Sequence, residues 1–442
     1  MAAALAAFHY VRGVATYMVT VRPDAIDFDV YYRAAQAFAA GHHIYPDYSG
    51  CCFNPAAMDG YTYPPVLAVV MSPLTALPVG VAGRIFFGAS QLALVAAVVV
   101  MQRTVRGMLP QRTQVWLLAA VLLFQPIHAA NFGLQVDHFL LLLFALAAWG
   151  YVHARGGALG GVAVGLATAL KIAPAQMLAA LLTDRRRRAV VSAIGFGLAT
   201  AIPLLLVWPL VSETPSYFTE VLPRFAGGVA SDYSRSFAGV VLRTYTVTGH
   251  IPPSILASAF HALELGGLVL TWLVCRRTIT TPAGRAATFA AFLAIMPITS
   301  PVTWDHHQES DALAFVLLAP SLRLGTVSWA AAIGGLALMS VNQLDLATML
   351  QRGGFDPPHG VGVLVYVAAA SVNLAGMALL YGAALRTAWR QRDVVLVSTT
   401  RATGQRWRGG WPLRLRPPTP RPRLSPTLDD ADAPLPRGLR EG

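Results

Sequence analysis

Charged side chains are scarce in this chain of 442 residues, at 12% of the total, whereas hydrophobic residues make up 55%. A soluble domain usually carries about 25% charged residues. Apolar runs of about 15 to 25 residues recur as far as Leu385, and about 20 residues are needed to cross a hydrocarbon core. The composition therefore excludes a large soluble domain and predicts an all-α, polytopic membrane protein.

Lysine and cysteine are almost absent. Lys171 is the one lysine among 33 basic residues, and the three cysteines are Cys51, Cys52 and Cys275. The cysteines have no metal-ligand spacing, and a bond between the neighbours Cys51 and Cys52 would be strained, so free thiols are predicted instead of a structural disulfide. Neither a metal site nor a cofactor is predicted, although the sequence leaves a divalent metal open.

Several functional motifs are also missing from the sequence. It has no P-loop, no dinucleotide fingerprint and no GxSxG elbow, which argues against an ATP-driven transporter and a serine hydrolase. No cleavable signal with an Ala-x-Ala exit is found, and residues 2 to 20 predict a first span that acts as a signal anchor.

The net charge of +12 does not indicate nucleic acid. The arginines cluster in short loops and in the C-terminal tail, as the positive-inside rule predicts for cytoplasmic segments of a membrane protein. We therefore expect membrane lipid, and no nucleic acid, as a partner.

If the spans alternate in direction and the arginine-rich loops lie in the cytoplasm, the topology has about twelve spans with both termini inside. Residues 64 to 79, broken by four prolines, are predicted to form a re-entrant or interfacial helix, and residues 157 to 183 two short helices that meet near Lys171. The membrane domain is predicted over residues 1 to 385, followed by a disordered, basic cytoplasmic tail over residues 386 to 442. The other predicted spans are 82–101, 114–130, 138–154, 189–211, 252–275, 286–298, 308–322, 326–344 and 360–385. This topology places twelve carboxylates outside: Asp24, Asp27, Asp29, Asp47, Asp59, Asp137, Glu213, Glu220, Asp232, Asp305, Asp345 and Asp356.

An acidic pair, Asp27 and Asp29, follows the first apolar segment and precedes a predicted helix from Val30 to Ala40. If the two acids approach this helix as a strand, they face opposite sides, so that one points into a cavity while the other caps the helix. Solvated acids at a helix start are the alternative. Tyrosines in the same loop, Tyr31 and Tyr63 among them, suit the faces of sugars. The pair is therefore a candidate for a catalytic base.

Other polar residues lie in or beside apolar segments. Lys171 is costly there unless it is paired or functional, which predicts a phosphate partner or, alternatively, snorkelling to the headgroups. A tight turn holds Trp304, Asp305, His306 and His307, which can bind a phosphate or a sugar, or form an interfacial belt. Two further candidates are the span edge with Gln135 and Asp137 and the loop with Arg235.

The order of these motifs resembles glycosyltransferase family 87, the GT-C-type membrane enzymes of actinobacteria. The motifs are the acidic pair, Tyr63-Pro64-Pro65, a Gly-x-Gln segment at Gly133, Lys171 with Pro174, and Ser300-Pro301-x-x-Trp304-x-His306-His307. The resemblance covers about residues 20 to 345. The sequence is similar to the polyprenyl-phosphomannose-dependent α-mannosyltransferases of phosphatidylinositol mannoside and lipomannan synthesis.

The resemblance implies a GT-C-like bundle in the plasma membrane with extracytoplasmic catalytic loops. A hexose, with mannose favoured, would pass from a polyprenyl-phosphate donor to a glycolipid or polysaccharide acceptor. An outer-loop acid would be the general base, which makes Asp27 or Asp29 catalytic, with Asp27 favoured because Asp29 is better placed to cap the helix. Donor phosphate would meet Lys171, with help from His306, His307 and Arg235. Substrate would contact Tyr31, Tyr63, Gln135, Asp137, Trp304 and Asp305.

Two other functions stay open. An arabinofuranosyltransferase that uses decaprenyl-phosphoarabinose would share the chemistry. The donor sugar stays open because the family's Gly-Gln-(Val/Ile)-Asn run, which is expected to touch substrate, is altered here to Gly133-Leu134-Gln135-Val136-Asp137. A lipid or sugar transporter is less favoured, since its ionisable residues would lie near the bilayer midplane in symmetry-related repeats.

Overall fold

A computed structural model shows an all-helical protein, with no strand among the described residues. These are residues 2–20, 27–45, 60–154, 157–226, 228, 234–250, 252–276, 281–322, 325–342, 346, 349 and 361–407. The predicted all-α class is confirmed. Cys51 and Cys52, the acids Asp24, Asp47, Asp59, Asp232, Asp345 and Asp356, and the tail from residue 408 onward lie outside the described residues.

The described helices run in chain order from Ala2 to Trp407. They are α1 (Ala2–Thr20), α2 (Asp27–Ala39), α3 (Pro65–Met71), α4 (Val79–Val105), α5 (Gln111–Leu123), α6 (Gln125–Gly133), α7 (Asp137–Val152), α8 (Gly157–Leu170), α9 (Leu178–Leu181), α10 (Arg186–Val207), α11 (Thr214–Ser216), α12 (Leu222–Ala226), α13 (Phe237–Val247), α14 (Ile255–Cys275), α15 (Pro282–Thr299), α16 (Glu309–Leu318), α17 (Val327–Met339), α18 (Val361–Ala370) and α19 (Val372–Trp407). Short 3₁₀ turns cover Ser72–Ala76, Ala173–Met177, Asp305–Gln308 and Ala319–Ser321, and a π-helical turn covers Tyr217–Val221.

Among the described residues, four helices are long and apolar enough to cross a membrane: α4, α10, α14 and α15. The number is six if two helix pairs, each bent by 44°, count as one span apiece: α5 with α6, and α18 with α19. Five further apolar segments are only 10–17 residues long. The protein is therefore a membrane protein, whereas the count of about twelve spans stays a prediction.

Close packing of α8 against α10 depends on glycines at four-residue spacing. A Cβ added at Gly161 would lie 2.0 Å from the carbonyl oxygen of Ser192, and one at Gly165 would lie 2.6 Å from that of Phe196. Only glycine lets the two backbones approach this closely, as in other membrane helix pairs. The contact holds α8 rigidly, and Lys171 follows its last residue.

Proline-containing segments differ from regular spans. Residues 64 to 79 form only the short helix α3 and a 3₁₀ turn before α4 begins at Val79. After Lys171 the second predicted helix is a 3₁₀ turn followed by the four residues of α9, because Pro174 cannot donate a backbone hydrogen bond. Helix α19 continues past the predicted span end at Leu385 to Trp407, and the domain division at residues 385 and 386 stays a prediction.

The acidic pair lies inside a helix, which corrects the strand-like approach considered above. Helix α2 begins at Asp27, so Asp27 and Asp29 are both in its first turn. The helix ends before Gly41, whose φ of 71° is the left-handed conformation that favours glycine. Phe28 and Tyr31 are fully buried and hold the helix on the core.

Candidate active site

One cavity of about 480 Å³ brings together residues from distant parts of the chain. It is bounded by α2, the segment before α3, α7, the turn after α8, α14 and the segment that joins α15 to α16. Seven of the predicted site residues line it: Asp27, Tyr31, Tyr63, Asp137, Lys171, Trp304 and His307. Gln135, Asp29, His306, Arg235 and Asp305 do not.

Asp27 is held in a fixed orientation at the cavity wall. The Gln135 Nε2 donates a hydrogen bond to Asp27 Oδ2. The Gln135 Oε1 in turn accepts one from the Tyr31 hydroxyl at 2.5 Å, and the Tyr63 hydroxyl lies 3.4 Å away. Since each partner is itself restrained, the network fixes the orientation of the Asp27 carboxylate on the cavity wall.

The backbone before Gln135 explains how this contact forms. Helix α6 ends at Gly133, and Leu134 adopts a left-handed conformation with φ 48° and ψ 52°, which turns the chain back toward α2. A Cβ at Gly133 would lie 3.1 Å from Asp27 Oδ2 and 3.1 Å from Gln135 Cγ. The Gly-x-Gln segment therefore serves as a close support for the carboxylate.

Burial raises the pKa of Asp27 to about 6, while the hydrogen bond from Gln135 and the charge of Lys171 work in the opposite direction. A carboxyl group with this pKa is mostly ionised at neutral pH. It is also a stronger base than an ordinary aspartate, which suits proton abstraction near pH 7.

Asp29 is committed to a different contact. Its Oδ2 lies 2.6 Å from Arg33 Nε, an i,i+4 ion pair on the outer side of α2 in which Arg33 is largely exposed. Asp29 therefore lies in the first turn of α2 and pairs with Arg33 along the same helix. The two acids, two residues apart, have different surroundings, and only Asp27 lies on the cavity wall.

Lys171 provides a cation on the same cavity. Its Nζ lies 3.2 and 3.3 Å from the two carboxylate oxygens of Asp137 and 5.7 Å from the centre of the Tyr63 ring. The Lys171 side chain is 14% exposed and is paired with the carboxylate of Asp137. An ammonium held over a cavity by one carboxylate keeps further N–H donors for an incoming anion.

The two neighbouring histidines occupy different positions. His307 lines the cavity and stacks on the Trp304 ring, at an interplanar angle of 8°. His306 is buried behind the wall, with its Nε2 3.9 Å from Asp137 Oδ2. Burial lowers the pKa of His306 to about 4 and that of His307 well below its ordinary value, so both rings are neutral at pH 7. They can donate N–H groups, but the positive charge comes from Lys171.

The fold brings a third possible metal ligand, Asp137, to the histidine pair, and sequence spacing did not reveal it. Donor atoms of Asp137, His306 and His307 lie within 4.8 Å of one another. However, the His307 Nδ1 already accepts the Trp304 backbone N–H at 3.1 Å, so the proton of the neutral ring lies on Nε2. Lys171 occupies the Asp137 carboxylate. The donor set as arranged therefore suits an anion better than a divalent cation.

Arg235 and Asp305 bind each other. The Arg235 Nε lies 2.6 Å from Asp305 Oδ1, and the Arg235 backbone N–H donates to the carbonyl oxygen of Thr303. Arg235 is 1% exposed. The pair ties the loop before α13 to the segment that carries Trp304 and His307, so its placement indicates a supporting contact for that segment.

An apolar wall continues from the polar residues. Asp137, Leu140, Leu141 and Phe144 all line the cavity, and their spacing puts them on one face of α7. Ile172, Ala173, Pro174, Met296 and Pro297 extend the same wall. The cavity thus combines a charged end with a hydrocarbon-like side.

Several cavity residues were missed by the sequence reasoning. One of them is Glu309, whose Oε1 lies 2.7 Å from Nδ1 of the buried His138, a residue that does not itself line the cavity. Gln176, His261 and Glu264 also line the cavity, with Gln176 Nε2 2.7 Å from Glu264 Oε1. The available signal was a carboxylate inside an apolar run, which is costly unless it has a role.

The chain is similar to several known proteins. The chain is 27% identical over 283 residues to a Mycobacterium tuberculosis protein, the polyprenol-phosphate-mannose-dependent alpha-(1-2)-phosphatidylinositol pentamannoside mannosyltransferase, covering 60% of this chain and 62% of that one. An alpha-(1->3)-arabinofuranosyltransferase of the same species is 27% identical over 212 residues, covering 48% of this chain and 47% of that one. The solved structure of ArnT from Cupriavidus metallidurans in the apo state overlaps with a TM-score of 0.40 at 18% identity, covering 87% of this chain and 78% of that one.

The family model of glycosyltransferase family 87 matches residues 61–301, more than half of the chain. The match includes Tyr63, Gln135, Asp137 and Lys171, whereas Asp27 and His307 lie beyond its ends. The chain belongs to glycosyltransferase family 87.

Proposed function

We propose that this protein is an integral membrane glycosyltransferase that moves mannose from a polyprenyl-phosphate donor to a glycolipid or polysaccharide acceptor. The observation that carries the proposal is one cavity with a restrained carboxylate, Asp27, and a paired ammonium, Lys171, on its walls. Transfer from a lipid phosphate needs a base for the acceptor and a cation for the departing phosphate, and both are present.

Asp27 is the general base in this proposal. Its carboxylate takes the proton of an acceptor hydroxyl as the hydroxyl oxygen attacks the anomeric carbon of the donor sugar. The bond between the anomeric carbon and the phosphate oxygen breaks, and polyprenyl phosphate leaves with the bonding electrons. One such displacement inverts the configuration at the anomeric carbon.

Lys171 stabilises the charge that develops on the leaving phosphate. Its ammonium is positioned by Asp137 before the substrate arrives, so little reorganisation is needed during the reaction. The neutral His307 adds an N–H donor, and Trp304 offers a ring for a sugar face. Asp137 has a positioning role, since it acts through Lys171.

The apolar wall below Asp137 supports a lipid-linked donor. Leu140, Leu141 and Phe144 lie on the same face of α7 as Asp137 and follow it toward the C-terminal end of the helix. A prenyl chain that packs along this face would place its phosphate next to Lys171. Burial of the prenyl chain also contributes binding affinity that does not depend on the sugar.

The proposed site faces the extracytoplasmic side in a GT-C-like bundle of about twelve spans, with residues 64 to 79 re-entrant or interfacial. The charge distribution supports this placement. The cavity end of α7 carries Asp137, whereas the other end packs near Arg285 and Asp184, beside the arginine run that begins at Arg185. Arginine-rich ends are expected in the cytoplasm.

A second candidate is transfer of arabinofuranose from decaprenyl-phosphoarabinose, which the similarity to an arabinofuranosyltransferase favours. The base and the phosphate site would be the same. Only the pocket for the sugar would differ.

The test uses membrane vesicles that contain the full chain, given radiolabelled polyprenyl-phosphomannose or decaprenyl-phosphoarabinose with a lipid extract as acceptor. Labelled mannose in the glycolipid fraction is expected with the wild type and not with Asp27→Asn. Label only from the arabinose donor would select the second candidate, and no label from either donor in active vesicles would contradict both.

A further inference from the structure

Glu309 is a carboxylate on the cavity wall that the proposed chemistry does not use. It is the first residue of α16 and is 1% exposed. Its Oε1 contacts His138 Nδ1 at 2.7 Å, and its Oε2 has no hydrogen-bond partner among the residues that the structure describes. A buried carboxylate oxygen without a partner is costly, so its persistence indicates a ligand that supplies one.

A network of buried side chains fixes the orientation of this carboxylate. The His138 Nε2 lies 2.8 Å from Asn131 Oδ1, which also accepts a hydrogen bond from Gln91 Nε2 at 2.6 Å. The Tyr10 hydroxyl contacts both Asn131 Nδ2 at 3.0 Å and Gln91 Oε1 at 2.6 Å. Side chains from α1, α4, α6 and α7 thus lock His138, and His138 locks one oxygen of Glu309. The other oxygen is left free at a fixed position, as in other preorganised sites.

The position of Glu309 indicates which ligand it meets. It lies two residues after His307 and close enough to Asp137 and Lys171 to interact with their charges. Lys171 is the proposed partner of the donor phosphate. A sugar joined to that phosphate through its anomeric carbon has hydroxyl groups within a few ångströms of the phosphate, and a carboxylate oxygen accepts hydrogen bonds from hydroxyls.

We propose that Glu309 Oε2 accepts a hydrogen bond from a hydroxyl of the sugar being transferred, which makes Glu309 a specificity-determining residue for the donor. The proposal rests on the proposed function. It explains why a carboxylate is kept inside an apolar helix and why one of its oxygens is tied back by His138. It also assigns the His138 network the role of positioning Glu309.

The experiment compares polyprenyl-phosphomannose with analogues that lack one sugar hydroxyl each, by kcat/KM in proteoliposomes of the full chain. With the wild type, one analogue is expected to react about ten- to hundredfold more slowly than the parent donor, because the site loses a hydrogen bond to a charged group. Glu309→Ala is expected to lower the rate with the parent to the level of that analogue and to abolish the difference between them.

Asp311→Asn is the matched control. Asp311 is a buried carboxylate two residues further along α16 and does not line the cavity. It is expected to keep the discrimination of the wild type. Because Glu309→Ala leaves His138 unpaired, the isosteric Glu309→Gln is measured as well and is expected to reduce the discrimination, since an amide is a weaker acceptor than a carboxylate.

Binding of polyprenyl phosphate without a sugar separates the possible outcomes. Unchanged binding in the Glu309 variants, together with lost discrimination, is the expected result. Three results would each overturn the assignment. The first is wild-type discrimination between donors in either folded Glu309 variant, and the second is loss of binding of the sugar-free lipid. The third is discrimination that appears only among acceptors lacking a hydroxyl. Absence of transfer by the wild type from every donor would instead contradict the proposed function itself.

Discussion

Two buried clusters of charged side chains lie near opposite ends of α7, and they differ in how completely they are paired. At the far end, Asp184 is bound by Arg285 Nη2 at 2.8 Å and by Arg188 Nη2 at 2.9 Å, while Arg285 Nη1 also donates to the carbonyl oxygen of Tyr151. At the cavity end, Asp27 Oδ2 accepts a hydrogen bond from the neutral Gln135, and Glu309 Oε2 has no hydrogen-bond partner among the described residues.

The two aspartates show the consequence of this difference. Burial works to raise the pKa of Asp184, but hydrogen bonds from Arg285 and from the Arg185 backbone outweigh it, so the pKa lies below its ordinary value. For Asp27 burial prevails and the pKa is raised to about 6. A carboxylate held by several arginine donors stabilises the fold, whereas a buried carboxylate with fewer partners keeps the capacity to move a proton.

The largest expected effect on transfer comes from Asp27→Asn. The amide cannot take the acceptor proton, and loss of a general base costs about 10²- to 10⁴-fold in kcat. Initial rates of mannosyl transfer measure it, with Asp29→Asn as the matched control that stays near the wild-type rate. The reverse pattern would move the base to Asp29.

Lys171→Met is expected to have the next largest effect. Without the ammonium, affinity for polyprenyl phosphate should fall about ten- to hundredfold, because a charge-assisted contact contributes about 1.5–3 kcal/mol. Lipid-binding titrations on the detergent-solubilised variant measure this, and Lys171→Arg, which keeps the charge, serves as the control. Wild-type affinity in Lys171→Met would remove Lys171 from the phosphate site.

The substitution Arg285→Met tests the other cluster, which surrounds Asp184. It leaves Asp184 with fewer partners in the interior, and breaking a buried pair costs about 3–5 kcal/mol of stability. The apparent melting temperature should fall, while kcat per folded molecule should remain that of the wild type. A specific loss of kcat at unchanged stability would mean that the Arg285 cluster takes part in catalysis.

The smallest effect is expected from chelation of divalent cations. Since Lys171 occupies the Asp137 carboxylate and His307 Nδ1 accepts the Trp304 backbone N–H, EDTA should leave the transfer rate unchanged. A rate restored only by added Mg²⁺ or Mn²⁺ would show that Asp137, His306 and His307 rearrange around a metal.

The sequence predicted the helical membrane fold, and it singled out Lys171 and the acidic pair Asp27 and Asp29, because a charge beside an apolar run is unusual by itself. It could not predict partners. Arg235 was expected at the donor phosphate and Asp305 at the substrate, yet they lie 70 positions apart and bind each other. Glu309 was treated only as part of a predicted span, because its pairing with His138 across 171 positions is visible only in the fold.

The central claim is that Asp27, held by Gln135, acts as an ionised base, and the pH dependence of kcat/KM tests it most directly. Because the base works when ionised, kcat/KM of the wild type should be constant well above pH 6 and fall about tenfold per unit well below it. The hydrogen bond from Gln135 lowers the pKa of Asp27, so Gln135→Leu should move the midpoint upward. A midpoint that stays in place in Gln135→Leu, or a profile with no fall below pH 6, would contradict the account.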